Sequence, residues 1–257
     1  MAPDTGRFDD RVLLVTGAAS GIGRAAAIKL ASEGGSLLLT DVAAAGLEET
    51  AKLVGQAAPS SASRIEIRVA DISNEDQARE SVAGCVARFG RLDSLCNNAG
   101  VIAYERTHQM SLEFWRRILR VNLDGTFLMT REAIPHLLET RGSIVNIGST
   151  AGLSGLAFGS AYSASKGAIH AFTRAVAIEY AAQGLRANSI CPASIETGMS
   201  KPQPFPDGAD FALLNRLSSL HGVAGPEVIA DVIAFLASDE ARHVTGEEIR
   251  VDGGALA

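Results

Sequence analysis

The chain has 257 residues, 47% of them hydrophobic and 20% charged, with a formal net charge of -6. That length and composition bury a sizeable core and exclude intrinsic disorder. Charges of both signs are mixed along the whole chain, which argues against a nucleic-acid surface, and no run approaches the roughly 18 apolar residues of a membrane span. Met1 to Asp10 is polar and partly acidic, unlike a secretory signal. Cys85, Cys96 and Cys191 are widely spaced and form no CxxC pair, so they read as buried thiols of a cytoplasmic protein, with zinc or disulfide chemistry as the alternative.

The first expected element is a strand at Val12 to Val15, apolar throughout as a strand buried on both faces is. A helix at Gly21 to Glu33, a strand at Ser36 to Thr40 and a helix at Ala43 to Ala57 follow. Next come a strand at Arg64 to Ala70, a helix at Glu75 to Phe89 and a strand at Leu92 to Asn97. One long helix is expected over Leu112 to Arg141, then a strand at Ser143 to Gly148, a helix at Ser160 to Gln183 and a strand at Leu185 to Cys191. In the last helix, Pro226 to Ala237, the residues Val228, Ile229, Val232, Ile233 and Leu236 make an apolar stripe, and a strand at Glu248 to Val251 closes the series. Strands alternating with helices imply an α/β fold, a seven-stranded mostly parallel sheet with helices on both faces. No repeat or linker-like shift divides residues 1–257, which read as one domain. The irregular stretch 198–225, rich in Pro and Gly around a helical pattern at Phe211 to Leu220, is long enough to suggest a functional loop.

After the first strand comes Thr16-Gly17-Ala18-Ala19-Ser20-Gly21-Ile22-Gly23, opening a helix. Gly17 permits the tight turn, Gly21 lets backbone approach a pyrophosphate, and Gly23 lets the helix lie against the strand, with the helix N-terminus facing the anion. Asp41 stands 18 residues after Gly23, where a carboxylate accepts hydrogen bonds from ribose hydroxyls; it is also a residue favoured at a helix N-cap. A 2′-phosphate there would meet a like charge, and Ser20, Val42 and Ala43 offer no cation for it, so the pattern favours NAD over NADP. Tyr162 and Lys166 lie four apart in a helical stretch and so on one face. An ammonium near the phenol is expected to lower a pKa that starts near 10, making the tyrosine a base at neutral pH.

These residues resemble the short-chain dehydrogenase/reductase family, over nearly the whole chain. The resemblance rests on the glycine loop, Asp71-Ile72, Asn97-Asn98-Ala99-Gly100, Val121-Asn122-Leu123, Ser149, Tyr162, Lys166, Ile195, Thr197 and Val251-Asp252-Gly253-Gly254. It implies a Rossmann-type doubly wound fold and a catalytic set of Asn122, Ser149, Tyr162 and Lys166. In that set Tyr162 exchanges the alcohol proton, Ser149 holds the substrate oxygen, and Lys166 binds the nicotinamide ribose and acidifies the phenol. Asn122 shapes its helix and holds a water on the proton path. The resemblance further assigns Asp71 and Ile72 to the adenine and Asn98, Ala99 and Gly100 to the adenosine ribose side, with Asn97 a strand-tethering amide. Pro192, Ile195 and Thr197 fall beside the nicotinamide. The family usually has Pro-Gly where this chain has Pro192-Ala193, so the turn or the pocket there is expected to differ.

The implied activity is hydride transfer between a secondary alcohol or ketone and NAD, without a metal. The five histidines, His108, His136, His170, His221 and His243, form no ligand-spaced cluster. A 3-oxoacyl carrier-protein reductase is the alternative enzyme, disfavoured by Asp41 because that activity typically uses NADPH. A non-catalytic NAD-binding sensor is the alternative of another class, disfavoured by the intact Ser149, Tyr162 and Lys166. Ser154 and Ala193 are expected as pocket walls. Met199, Phe205, Phe211, Leu213, Leu214 and Leu217 suggest an apolar lid over a hydrophobic or cyclic substrate, or else core or subunit contacts. Relatives commonly form homotetramers, and apolar faces at Phe127 to Leu138 and Ile169 to Ile178 are compatible with one.

Overall fold

The apolar run near the start is strand β1, Val12–Thr16, with all five residues buried. Its alternate side chains feed two different cores, which is why it carries no polar alternation. In the computed structural model, which describes residues 6–198 and 204–257, Leu13 and Val15 pack on one side of the sheet, and Val12 and Leu14 on the other. The first core is closed by α1 (Gly21–Ser32), α2 (Ala44–Ala57) and α8 (Glu227–Ala237). The second is closed by α3 (Glu75–Phe89), α5 (Gly125–Thr140) and α7 (Ser160–Tyr180). Helices on both faces are therefore a direct consequence of strands that are apolar on both faces.

The remaining strands are β2 (Ser36–Asp41), β3 (Ile65–Val69), β4 (Ser94–Asn97), β5 (Ser143–Ile147), β6 (Arg186–Pro192) and β7 (Glu248–Val251). They form one sheet in the order β3-β2-β1-β4-β5-β6-β7, and every pairing is parallel rather than mostly so. The order reverses between β1 and β4, which opens a crevice above their carboxyl ends. Thr16 ties the two strands across it, its hydroxyl oxygen accepting the backbone N–H groups of Asn98 and Ala99 at 3.0 Å each. Deeper in the sheet, Asn97 donates to Asn146 at 2.9 Å and Asn146 to Thr173 of α7 at 2.8 Å, which fixes α7 on β5.

The helix expected over Leu112 to Arg141 is three pieces: α4 (Leu112–Leu119), a π-helical turn at Arg120–Asp124, and α5. The wider turn lets the buried Asn122 reach sideways, accepting from the Val101 N–H at 2.7 Å and donating to the Val101 carbonyl at 3.0 Å. A short helix, α6 (Thr150–Ser154), follows β5 and was not signalled by any apolar period. The pattern at Phe211 to Leu220 is two 3₁₀ turns, Phe211–Leu213 and Asn215–Leu217, not a continuous helix. Replacing Thr16 by the isosteric Val should leave two N–H groups without their acceptor and cost about 1–3 kcal/mol in urea denaturation. Hydrogen exchange at Asn98 and Ala99 should accelerate with it.

Candidate active site

The carboxyl ends of the strands frame one cleft of about 690 Å³. Gly17 follows β1 with φ +66°, and a side chain there would meet the Ala99 backbone at 2.7 Å, so only glycine lets the two loops close together. Ser20, Gly21 and Ile22 line the cleft, whereas Gly23 faces the Gly17 carbonyl behind the loop. The start of α1 has no side-chain cap and no acidic residue in its first turn, which leaves its N–H groups to an anion. Asp41 ends β2 on the cleft wall beside Val42. Its carboxylate accepts from the N–H groups of Ala19 at 3.1 Å and Ala43 at 3.0 Å, so it braces the glycine loop but is not the N-cap of α2, which is Ala43. Asp71, Ile72, Asn98, Ala99 and Gly100 line the same cleft, with Asn98 donating to the Gly17 carbonyl at 3.1 Å. Asn97 is the buried strand tether expected of it.

On the opposite wall stand Ser149, Tyr162 and Lys166. Ser149 follows β5, caps α6 through the Ala151 N–H at 3.1 Å, and lies close enough to the Tyr162 phenol to favour its ionised form. The close approach of α6 to α7 needs Gly152, where a side chain would meet the Gly167 nitrogen at 2.7 Å. Lys166 is buried, donates to the Ile147 carbonyl at 2.6 Å, and lies 5.8 Å from the centre of the Tyr162 ring. Asn122 sits just behind, not on the cleft wall, and its amide also donates to Ser165 at 3.0 Å. The four residues that the pattern groups are thus close in space.

Their protonation departs from the expected one. Burial pushes the Tyr162 phenol up to about 12, outweighing the lowering by Ser149. Burial likewise lowers the Lys166 ammonium to about 8. The expectation that Lys166 makes Tyr162 more acidic is corrected for these side chains by themselves, because loss of water stabilises the neutral form of both groups.

The substrate end of the cleft continues through Val101, Ile102, Tyr104, Leu156, Ala193 and Leu217. Ser154 does not belong to it. As the last residue of α6 it is exposed and donates back to the Thr150 carbonyl at 3.1 Å, so the expected pocket-wall role is overturned. Of the apolar residues in the 198–225 stretch, Leu217 reaches the cleft and Phe205 stacks on Tyr104. Phe211 and Leu213 are exposed, and Met199 lies outside the described residues.

A family model described as enoyl-(acyl carrier protein) reductase matches residues 17–255. Meso-2,3-butanediol dehydrogenase of Serratia marcescens is 38% identical over 251 residues, covering 98% of this chain and 96% of its own. The 3-oxoacyl-[acyl-carrier-protein] reductase of Thermotoga maritima is 36% identical over 251 residues, covering 97% and 99%. This chain belongs to the short-chain dehydrogenase/reductase family. Among solved structures, a short chain dehydrogenase from Mycobacterium paratuberculosis bound to NAD matches with a TM-score of 0.88 at 34% identity, covering 97% of this chain and 99% of that one.

Against the usual pattern of short-chain dehydrogenases, Ala193 carries no strain: the left-handed residue of its turn is the next one, Ser194, at φ +52°. Ser194 is held there by accepting the Ser219 N–H at its hydroxyl and the Ala224 N–H at its carbonyl, both at 3.0 Å. Ala193 does line the cleft, as do Pro192, Ile195 and Thr197. Sequence reasoning missed Tyr104 and His170. Tyr104 sits four residues past the Asn98–Gly100 turn, a placement that could have flagged it. His170 lies one helical turn beyond Lys166 and is within hydrogen-bond distance of the Ser149 carbonyl, at 3.2 Å. An ultraviolet difference titration of the coenzyme-free protein against Tyr162→Phe should show no phenolate from Tyr162 until pH nears about 12. Because the folded phenol keeps its proton where an unfolded one, near 10, has lost it, the stability Tyr162 contributes should fall as pH rises between those values.

Proposed function

We propose that this protein is an NAD-dependent oxidoreductase that moves a hydride between a secondary alcohol or ketone and the nicotinamide, with Tyr162 as acid/base. The observation that carries the reading is the convergence of Ser149, Tyr162 and buried Lys166 on the wall of the cleft that the glycine loop opens. The cleft's volume falls in the range of small-molecule sites. The uncapped start of α1, with Gly17, Ser20, Gly21, Ile22 and Gly23, suits a pyrophosphate, and Asp41 with Val42 suits a ribose bearing free hydroxyls. Arg24 would not rescue a 2′-phosphate, because its guanidinium is bound to the Ala19 carbonyl at 2.6 Å and to Thr50 at 3.0 Å. Asp71 and Ile72 would flank the adenine, Asn98, Ala99 and Gly100 the adenosine ribose side, and Pro192, Ile195 and Thr197 the carboxamide.

Bound NAD would supply the hydride acceptor and, when oxidised, a positive charge. Tyr162 Oη takes the hydroxyl proton as the carbinol C–H bond releases its hydride, and gives it back in the reverse direction. Ser149 Oγ holds the reacting oxygen against Tyr162. Lys166 Nζ, steadied by the Ile147 carbonyl, would bind the nicotinamide ribose. Asn122 braces the loop after β4 through Val101 and would hold a water extending the proton path. The 198–225 stretch serves as the substrate loop, with Leu217 as its inward contact. The three free buried cysteines suit a cytoplasmic location. Exposed Phe127 on α5 and Ile178 on α7 suit a homotetramer, which sedimentation equilibrium tests.

Absorbance of NADH during incubation with NAD⁺ and a panel of secondary alcohols should rise. Tyr162→Phe should lose at least about 100-fold in kcat while still binding NADH. Bound NAD⁺ should lower the Tyr162 titration from its coenzyme-free value. Asp41→Ala should narrow the preference for NAD over NADP by about tenfold or more. A wild-type preference for NADP would refute the role of Asp41. Binding of NADH without any turnover would favour a sensor, and turnover of 3-oxoacyl thioesters alone a carrier-protein reductase.

A further inference from the structure

The substrate end of the cleft holds a hydroxyl that the chemistry above does not use. Tyr104 lies on the loop between β4 and α4, half-buried, among Val101, Ile102, Leu156 and Leu217. Its ring is fixed from one side by Phe205, stacked with centroids 4.2 Å apart, and Phe205 meets Phe211 edge-on at 5.1 Å. Its loop is pinned as well. The Glu105 N–H donates to the Phe158 carbonyl at 2.8 Å, and Arg106 donates to the carbonyls of Asp207 and Gly208 at 3.0 and 3.1 Å.

The stack on Phe205 keeps the ring on the cleft wall, and among the described residues its hydroxyl has no hydrogen-bond partner. Burial raises the Tyr104 pKa, so this hydroxyl remains a proton donor at neutral pH. Tyr104 and Tyr162 line the same cleft, together with Leu156 and Leu217. A polar group fixed in an otherwise apolar wall favours a ligand that supplies its partner and penalises one that does not.

We propose that Tyr104 is a specificity-determining residue whose hydroxyl hydrogen-bonds a second oxygen of the substrate. The preferred substrates are then diols, hydroxyketones and other alcohols or ketones with a further oxygen near the reacting carbon, rather than simple alcohols of the same skeleton. The inference rests on the reading that Ser149 and Tyr162 hold the reacting oxygen.

Tyr104→Phe removes the hydroxyl and keeps the ring that stacks on Phe205. Binding of vicinal cyclohexanediol and of cyclohexanol to the NADH-loaded protein, where neither alcohol can be oxidised, is measured by calorimetry for wild type and variant. The wild type should prefer the diol by about tenfold or more, and the variant should lose that preference. The ratio of kcat/KM for the two alcohols should fall in parallel. An equal binding ratio in the two proteins, or a wild type that does not prefer the diol, overturns the proposal. Failure of the wild type to oxidise either alcohol would sink the oxidoreductase reading instead, while the binding ratio would still decide the role of Tyr104.

Discussion

Neighbouring parallel strands whose connections leave on opposite faces cannot have their carboxyl ends covered by those connections. In this chain that gap lies between β1 and β4, and everything of chemical interest gathers along it. The loop after β1 carries the glycines, the end of β2 carries Asp41, and the loops after β3, β4, β5 and β6 bring Asp71, Asn98, Ser149 and Ile195 to one cleft. The gap keeps its shape because backbone groups across it are tied by side chains. Thr16 accepts from Asn98 and Ala99, Asn98 donates to Gly17, and Asp41 accepts from Ala19.

Within that frame, desolvation is the dominant electrostatic influence on Tyr162 and Lys166. A buried lysine and a buried tyrosine are each driven toward neutrality, the first by a lowered pKa and the second by a raised one. Lys166 is nonetheless held by a hydrogen bond to the Ile147 carbonyl, and Tyr162 stands beside Ser149 on the cleft wall. A positive charge delivered next to them has an unusually large effect, because little water is present to screen it.

The substrate end is built differently, from a loop after β4 and a strap after β6 that grip each other. Tyr104, Phe205 and Phe211 form an aromatic contact between them, and Arg106 fastens the strap's carbonyls. The strap is in turn anchored to the turn at Ser194 and to the carbonyl of Gly253, which accepts from Leu220 at 3.0 Å. Neither loop carries Ser149, Tyr162 or Lys166, which stand after β5 and on α7.

The sequence alone determined the order and type of nearly all the main elements, the two-faced sheet, the glycine loop and the residues that meet in the cleft. These are legible because buried parallel strands must be apolar throughout and because turns, phosphate cradles and paired side chains demand particular residues at short spacings. Only the tertiary structure decided the π turn at Asn122, the short helix that turns Ser154 outward, the transfer of strain from Ala193 to Ser194, and the neutral-leaning Tyr162. Each depends on contacts with residues far along the chain: Val101 with Asn122, Gly152 with Gly167, Ser219 with Ser194, and the whole burying shell around the phenol. Local pattern records what a segment prefers by itself, whereas hydrogen bonding across loops and loss of water are set by what finally packs against it.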